Sequence, residues 1–135
     1  MKRALSRAFE PPAPMVPVRV RAPGGIDVAT VDGKLDTGAD ICALPETALA
    51  QLDVSPVRVG RAAGFAGALI ETHVYRVDVE LDEFVVERVE ALATRRPYAI
   101  IGRNVLRHFV LRIDGPKGML ELTRGGRLSR GASNK

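Results

Sequence analysis

The feature that most limits the fold of this chain is an alternation of apolar and charged side chains over residues 75–82. Tyr75, Val77, Val79 and Leu81 occupy every second position, with charged residues between them. Successive side chains of a β-strand point to opposite faces, so this spacing predicts a strand with one buried face. A strand of this kind needs partners, and the rest of the chain must supply them.

Shorter strand patterns recur along the chain, with turn residues between them. Val16, Val18 and Val20 alternate with polar residues or proline, and a Pro-Gly-Gly turn leads into a second strand over residues 26–35. The remaining predicted strands cover 57–61, 84–92, 98–101, 109–113 and 119–122, and short helices are predicted over 45–52 and 102–108. Strands at this regular spacing predict an all-β fold, either a closed barrel or a sandwich.

The length of 135 residues predicts one domain. Residues 1–14 end in a proline-rich stretch that favours neither a helix nor a hydrogen-bonded β-strand. They are interpreted as a flexible leader arm. Residues 15–123 are predicted to form the folded domain. Residues 124–135, rich in Gly, Ser and Arg, are predicted to be a disordered basic tail.

The net charge of +4 raises the question of a nucleic-acid partner. The last twelve residues contain four basic residues and no acidic one, so residues 1–123 have no net charge. The basic character therefore belongs to the tail and not to a face of the fold. A nucleic-acid-binding barrel is an alternative interpretation, but the neutral domain argues against it, and no nucleic-acid partner is predicted.

No apolar run reaches the roughly 18 residues that a membrane span needs. The basic start of the chain is not followed by an apolar stretch typical of a signal peptide. Cys42 is the single cysteine, which excludes a disulfide within the chain and fits a reducing compartment. These observations predict a cytoplasmic protein without a membrane partner.

The strongest candidate for a reactive group is the carboxylate of Asp36. It lies in residues 35–40, Leu-Asp-Thr-Gly-Ala-Asp, directly after a predicted strand. Asp, Thr and Gly are ordinary turn formers, so the three letters alone are a weak signal. After a strand, and followed by Ala-Asp, they resemble the active-site signature of the retroviral-type aspartic peptidases, the retropepsins.

A second segment strengthens this resemblance. Residues 99–106, Ala-Ile-Ile-Gly-Arg-Asn-Val-Leu, are similar to the retropepsin motif that precedes the last helix of the domain. The resemblance spans about residues 15–123, although only the two motifs are specific. It implies a closed, all-β retropepsin-like barrel with one short helix near the C-terminus, and it implies that Arg103 pairs with Asp40 in a buried ion pair that holds the loop. Asp40 as a catalytic group is the alternative.

The resemblance also implies an activity: aspartic endopeptidase, with water activated between two Asp36 carboxylates. Because the chain has only one Asp-Thr-Gly, the second carboxylate is expected from a second copy, in a homodimer that binds an extended peptide or protein substrate. No metal and no cofactor are expected, since His73 and His108 lack metal-ligand spacing. The alternative is a non-catalytic retropepsin-like module for dimerisation or peptide binding.

The site predicted from the two motifs has three groups of residues. The catalytic residues are Asp36, Thr37 and Gly38, and their structural support comes from Ala39, Asp40 and Arg103. A flap that closes over substrate is predicted at Gly64, Phe65, Ala66 and Gly67, although a simple hairpin tip is the alternative there. Apolar subsite walls are predicted at Ile41, Cys42, Phe65, Ile100 and Ile101.

Overall fold

The computed structural model describes residues 1–63, 67 and 69–125. Within these residues the chain forms ten β-strands and two short helices. The strands are β1 (Lys2–Ala4), β2 (Met15–Arg21), β3 (Ala29–Leu35), β4 (Cys42–Pro45), β5 (Arg58–Ala63), β6 (Leu69–Leu81), β7 (Phe84–Thr94), β8 (Ala99–Ile101), β9 (Phe109–Asp114) and β10 (Met119–Arg124), and the helices are α1 (Glu46–Leu52) and α2 (Arg103–Leu106). Neither helix of the described ranges has the length and apolar character that a membrane crossing requires.

Six strands close into a barrel in the order β2, β3, β8, β4, β7 and β6, and a pairing of β2 with β6 completes the ring. β6 is long enough for three partners: its first half pairs with β5, its second half with β2, and β7 runs along its other side. The alternating valines of β2 are at most 1% exposed and fill the centre of the barrel. The prediction of an all-β, closed barrel is confirmed.

A second, three-stranded sheet has the order β1, β10, β9. Leu120 and Leu122 of β10 are buried and join the core of the barrel, so this sheet closes the barrel at one end. The amino group of Met1 donates to the carbonyl of Leu122 at 2.7 Å, which fixes the start of the chain to the same strand.

The first strand lies within the segment for which the sequence predicts a flexible arm. Residues 2–4 pair with β10, and a bridge between Ser6 and Ala13 folds the following residues back on themselves. Phe9 packs edge-on against the ring of Tyr98 at 5.3 Å between centroids. The local pattern gave no signal for this arrangement, because the partner of β1 lies at the other end of the sequence.

β3 pairs in parallel with β8, and β4 pairs in parallel with β7. These pairings position the loop that carries the Asp-Thr-Gly signature. β3 delivers the signature loop, β4 leads away from it, and β8 lies between these two strands in the sheet. The sequence did not predict β4, because its four residues are too few to show a period. α1 follows directly, and its C-cap residue, Asp53, adopts a left-handed conformation with φ of 55°.

Candidate active site

The loop that carries the Asp-Thr-Gly signature begins where β3 ends, beside β8. Leu35, the last residue of β3, pairs in parallel with Ile101 of β8. The next amide, that of Asp36, donates to the carbonyl of Ile101 at 2.9 Å. Because β8 has strands on both sides, the main chain of Asp36 is attached to an interior part of the sheet rather than to an edge.

The carboxylate of Asp36 is held by its own loop. Its Oδ1 accepts the N–H of Gly38 at 2.8 Å, and its main-chain carbonyl accepts the N–H of Ala39 at 3.2 Å. An aspartate that bonds the amide two residues on forms an Asx turn, which explains why this sequence turns here. Asp36 is half-buried, whereas Thr37 and Gly38 are exposed. The three predicted catalytic residues therefore lie together at the surface.

Arg103, the first residue of α2, contacts the signature loop at three points. Its N–H donates to the carbonyl of Ala39 at 2.8 Å, and its Nη1 donates to the carbonyl of Thr37 at 2.7 Å. Its Nη2 forms an ion pair with the carboxylate of Asp40. The partnership that the resemblance implied between Arg103 and Asp40 is thus present, together with two main-chain contacts that the sequence did not predict.

The Arg103–Asp40 pair was expected to be buried, and in the single chain it is not. The side chains are 53% and 83% exposed, respectively. Both residues belong to exposed segments, the signature loop and the first turn of α2, so neither is covered by the barrel. An ion pair this exposed contributes little to stability, typically about 0–1 kcal/mol. The ion pair instead helps to hold the signature loop in position against α2.

Gly102 allows the two motifs to approach each other closely. A Cβ at this position would lie 2.8 Å from the carbonyl carbon and oxygen of Ile41, and 2.9 Å from the carbonyl oxygen of Ala39. These are main-chain atoms, which cannot rotate away as a side chain does. The glycine of the Gly-Arg-Asn motif is therefore required by the backbone of the signature loop.

Beneath the loop lies a hydrogen-bonded chain centred on Cys42. Its Sγ accepts the N–H of Gly102 at 3.4 Å, and the thiol donates to Oδ1 of Asn104 at 3.3 Å. Nδ2 of Asn104 donates in turn to the carbonyl of Glu90 on β7 at 2.8 Å. Burial raises the pKa of the Cys42 thiol to about 11, although the Gly102 amide acts in the opposite direction. The thiol is therefore neutral at ordinary pH.

The sequence did not assign this role to Cys42 or to Asn104. The two residues are 62 positions apart in the sequence, and neither carries a charge or belongs to a periodic pattern. The only signal was that Asn104 belongs to the same Gly-Arg-Asn triplet as Arg103.

Phe65 lies outside the described residues, and the other four predicted apolar subsite residues divide into two pairs. Ile41 and Ile100 are half-buried and reach the surface. Cys42 and Ile101 have no exposed surface in the single chain and belong to the hydrophobic core. The reason is the alternation of a strand: Ile100 and Ile101 are neighbours on β8, so they face opposite sides of the sheet.

The predicted flap falls largely outside the described residues. Gly64, Phe65 and Ala66 are not among them, whereas Gly67 is, with a positive φ of 79°. The flanking strands β5 and β6 pair antiparallel, with Ala63 opposite Leu69. The intervening residues thus connect two strands of one hairpin.

Across the described ranges, no group of three or more His, Cys, Asp or Glu side chains is arranged to hold a metal ion. The ionisable side chains at the signature loop are Asp36, Asp40 and Arg103, and the hydroxyl of the exposed Thr37 lies between the two aspartates in the sequence.

The described residues thus form a closed barrel in which the Asp-Thr-Gly loop is held against the helix start at Gly-Arg-Asn. The aspartyl protease family matches residues 16–112, so the chain belongs to that family. No curated protein matches the chain.

Solved structures show the same fold. A retropepsin-like aspartic protease from Rickettsia conorii is 16% identical, with a TM-score of 0.65 over 92% of this chain and 89% of that chain. EIAV protease, solved with the inhibitor HBY-793, is 23% identical, with a TM-score of 0.51 over 70% and 86%. Simian foamy virus (mac) protease is 22% identical, with a TM-score of 0.51 over 68% and 92%. The chain therefore has a retropepsin-like fold.

Proposed function

We propose that this protein is an aspartic endopeptidase that acts as a homodimer, with Asp36 of each subunit as the catalytic group. The observation that carries the proposal is the setting of Asp36. Its main chain is fixed to β8, one oxygen of its carboxylate is held by Gly38, and the residue is partly exposed. A carboxylate that is positioned and accessible is what this chemistry requires.

Peptide hydrolysis of this kind needs two carboxylates on one water molecule. The ionised carboxylate takes a proton from the water, and the protonated one donates a hydrogen bond to the scissile carbonyl. Two carboxylates about 3 Å apart cannot both ionise, so they share one proton. Their titration belongs to the pair and not to either residue.

One chain supplies one such carboxylate, because the sequence contains a single Asp-Thr-Gly. The other two Asp-Gly pairs lack the threonine of the signature. Asp32 lies within β3 opposite Pro17, and Asp114 accepts the N–H of Lys117 in the turn before β10. We therefore assign the second catalytic carboxylate to Asp36 of the partner subunit, related by a two-fold axis.

The other signature residues have supporting roles in this proposal. Thr37 bonds to the loop of the partner subunit and keeps the two carboxylates coplanar. Gly38 allows a substrate main chain to approach, because it has no Cβ. Asp40 and Arg103 hold the loop. The reaction needs no metal and no cofactor.

The substrate is an extended peptide, bound by main-chain hydrogen bonds and covered by a flap at residues 64–67. Ile41 and Ile100 are the apolar residues of the predicted subsites that reach the surface. They favour aliphatic or aromatic side chains beside the scissile bond. A cleavage profile dominated by charged residues at these positions would contradict this assignment.

The deciding experiment compares the protein with its Asp36→Asn variant on a mixed peptide library, read by mass spectrometry. Both are assayed at high concentration from about pH 3.5 to 7, where a pair that shares one proton is competent. Asparagine has nearly the same shape and cannot ionise. Cleavage by the wild type alone establishes the activity and gives the specificity. No cleavage by a folded wild-type dimer favours the non-catalytic module instead.

Dilution tests the dimer separately. Specific activity is expected to fall as the protein is diluted below its dimer dissociation constant, since a single subunit has only half of the catalytic pair. Activity that stays constant through dissociation would rule out a shared site.

In the comparison of variants, equal cleavage by the wild type and by Asp36→Asn would indicate a contaminant or another catalytic site.

A further inference from the structure

Lys34 is a basic residue on the outer face of the barrel, two positions before Asp36. In β3 its neighbours Gly33 and Leu35 are buried, whereas Lys34 is half-buried. Because successive side chains of a strand point to opposite faces, Lys34 points away from the core. Two residues of extended chain span at most about 7 Å, so this side chain begins close to the proposed catalytic group.

Lys34 also lies in a row with a predicted subsite residue. It is directly opposite Ile100 of β8, and Ile100 is directly opposite Ala43 of β4. Residues that are directly opposite in neighbouring strands project from the same face of a sheet, and all three are half-buried. The outer surface beside the signature loop is therefore a row of a lysine, an isoleucine and an alanine across three strands.

No acidic side chain of the chain pairs with Lys34. None of the ion pairs of the described residues involves it, and the residues outside the described ranges contain no aspartate or glutamate. Asp32 lies on the same face two positions earlier, but it forms no ion pair with Lys34. The residues opposite Lys34 are Met15 and Ile100, both apolar. Several other basic residues of the strands lie directly opposite a carboxylate, namely Arg19 opposite Glu80, Arg61 opposite Glu71 and Arg76 opposite Glu90.

Two aromatic rings restrict the position of the lysine. The Nζ of Lys34 lies 5.2 Å from the ring centroid of Phe9, which packs edge-on against Tyr98. The hydroxyl of Tyr98 accepts a hydrogen bond from Arg96 at 3.3 Å, so a second positive charge lies at the same aromatic pair. A ring face attracts an ammonium group but contacts only one side of it. An ammonium group has three donors, so Lys34 retains donors for a carboxylate.

We infer that Lys34 is a specificity-determining residue that binds a side-chain carboxylate of the peptide substrate. The inference rests on the proposed peptidase and adds to its substrate class: an apolar side chain on Ile100 and a glutamate or aspartate side chain on Lys34. An extended peptide presents every second side chain to one face, about 6.6 Å apart, and neighbouring strands lie about 4.8 Å apart. The carboxylate is therefore two positions from the apolar residue, and the residues beside the scissile bond remain apolar.

The test compares pairs of peptides that differ in one side chain. A peptide that the wild type cleaves in the mixed library is made with glutamate, and separately with glutamine, at each position two residues from the apolar one. The peptides are amidated at the C-terminus, so their only carboxylates are side chains. At about pH 6 the glutamate is ionised. At one position kcat/KM is expected to be about threefold to tenfold higher for the glutamate peptide, mainly through KM.

Two variants of Lys34 carry the test. Lys34→Met removes the charge and keeps an unbranched stem, so the ratio of kcat/KM between the glutamate and glutamine peptides is expected to fall to about one. Lys34→Glu is expected to prefer a peptide with lysine at that position over the one with glutamate. Lys117→Met is the matched control, because it removes the same charge from an exposed turn between β9 and β10. Its ratio is expected to equal that of the wild type.

Phe9 is the positioning residue in this inference. Phe9→Leu keeps an apolar side chain but removes the ring face that holds the ammonium group. It is expected to lower the ratio between the glutamate and glutamine peptides. Phe9→Tyr retains a ring and is expected to keep the ratio of the wild type. Circular dichroism and thermal unfolding confirm that each variant is folded.

The outcomes separate this inference from the proposed activity. A wild type without a preference for glutamate at any position overturns the inference, as does an unchanged ratio in Lys34→Met, while cleavage dependent on Asp36 would stand. If the wild type cleaves no peptide, the activity fails, and binding of the same pairs of peptides is measured by fluorescence anisotropy. Weaker binding of the glutamate peptide by Lys34→Met than by Lys117→Met then supports the inference. Equal binding, or no binding of either peptide, overturns it.

Discussion

The guanidinium of Arg103 donates a hydrogen bond of 2.7 Å to the main-chain carbonyl of Thr37, the central residue of the signature. The same side chain pairs with Asp40, so one planar group contacts the loop on both sides of Gly38. A guanidinium can do this because its donors diverge in a fixed plane. The orientation of the loop therefore depends on the first residue of α2.

Replacing this arginine is expected to affect activity more than stability. Arg103→Lys keeps the charge, but an ammonium group on one stem cannot reach Thr37 and Asp40 in the same geometry. Since the ion pair is exposed, the free energy of unfolding should fall by less than about 1 kcal/mol. The misplaced loop should lower kcat/KM by about tenfold to a hundredfold, mainly through kcat. Arg107→Lys, in an exposed residue four positions on, is the control and should change neither quantity.

The glycine before Arg103 offers a test of backbone packing. Gly102→Ala places a methyl group 2.8 Å from main-chain atoms of Ile41, so the loop or the start of α2 must shift. The free energy of unfolding is expected to fall by about 1–3 kcal/mol, measured by urea denaturation. Gly115→Ala is the matched control, because a Cβ there meets no atom within 4 Å. Equal stability of the two variants would contradict the close approach.

Much of this fold could be predicted because period-two patterns depend on neighbours in the sequence. Val77 and Val79 alternate with charged residues, and the strand that they predict is present. The closure of the barrel has no such local signal. It depends on the pairing of β2 with the second half of β6, in which Arg19 lies opposite Glu80, about sixty residues away. Nothing in either segment specifies this partner.

The candidate site was likewise predictable from the sequence only in part. Asp36 and Arg103 could be identified from two motifs, and their contacts with one loop follow from the parallel pairing of β3 with β8. The division of Ile100 and Ile101 between the surface and the core depends on which face of β8 each occupies. The role of Cys42 depends on a hydrogen bond to Asn104, which only the folded chain brings within reach.

Asn104 is expected to be important for stability because it joins the buried thiol to β7. Asn104→Ala leaves the carbonyl of Glu90 without the donor that it has at 2.8 Å, and it leaves the Cys42 thiol without its acceptor. A partly buried polar group that loses its partner costs about 1–3 kcal/mol. Urea denaturation should show a loss of this size. Gln51→Ala replaces an exposed amide on α1 and should change the free energy of unfolding by less than about 0.5 kcal/mol.

Cys42 makes the stability of the protein depend on pH in the alkaline range. The folded-state pKa of the thiol is raised by burial from 9.0 to about 11, so the folded state retains a proton that the unfolded state releases. This contribution to stability is complete below pH 9 and is lost as the pH rises towards 11. Over this window the free energy of unfolding of the wild type should fall by roughly 2 kcal/mol more than that of Cys42→Ala. Denaturation curves of both proteins at pH 8 and near pH 11 measure the difference, in which the other titrating groups cancel. A constant difference across this range would mean that the thiol is exposed to solvent.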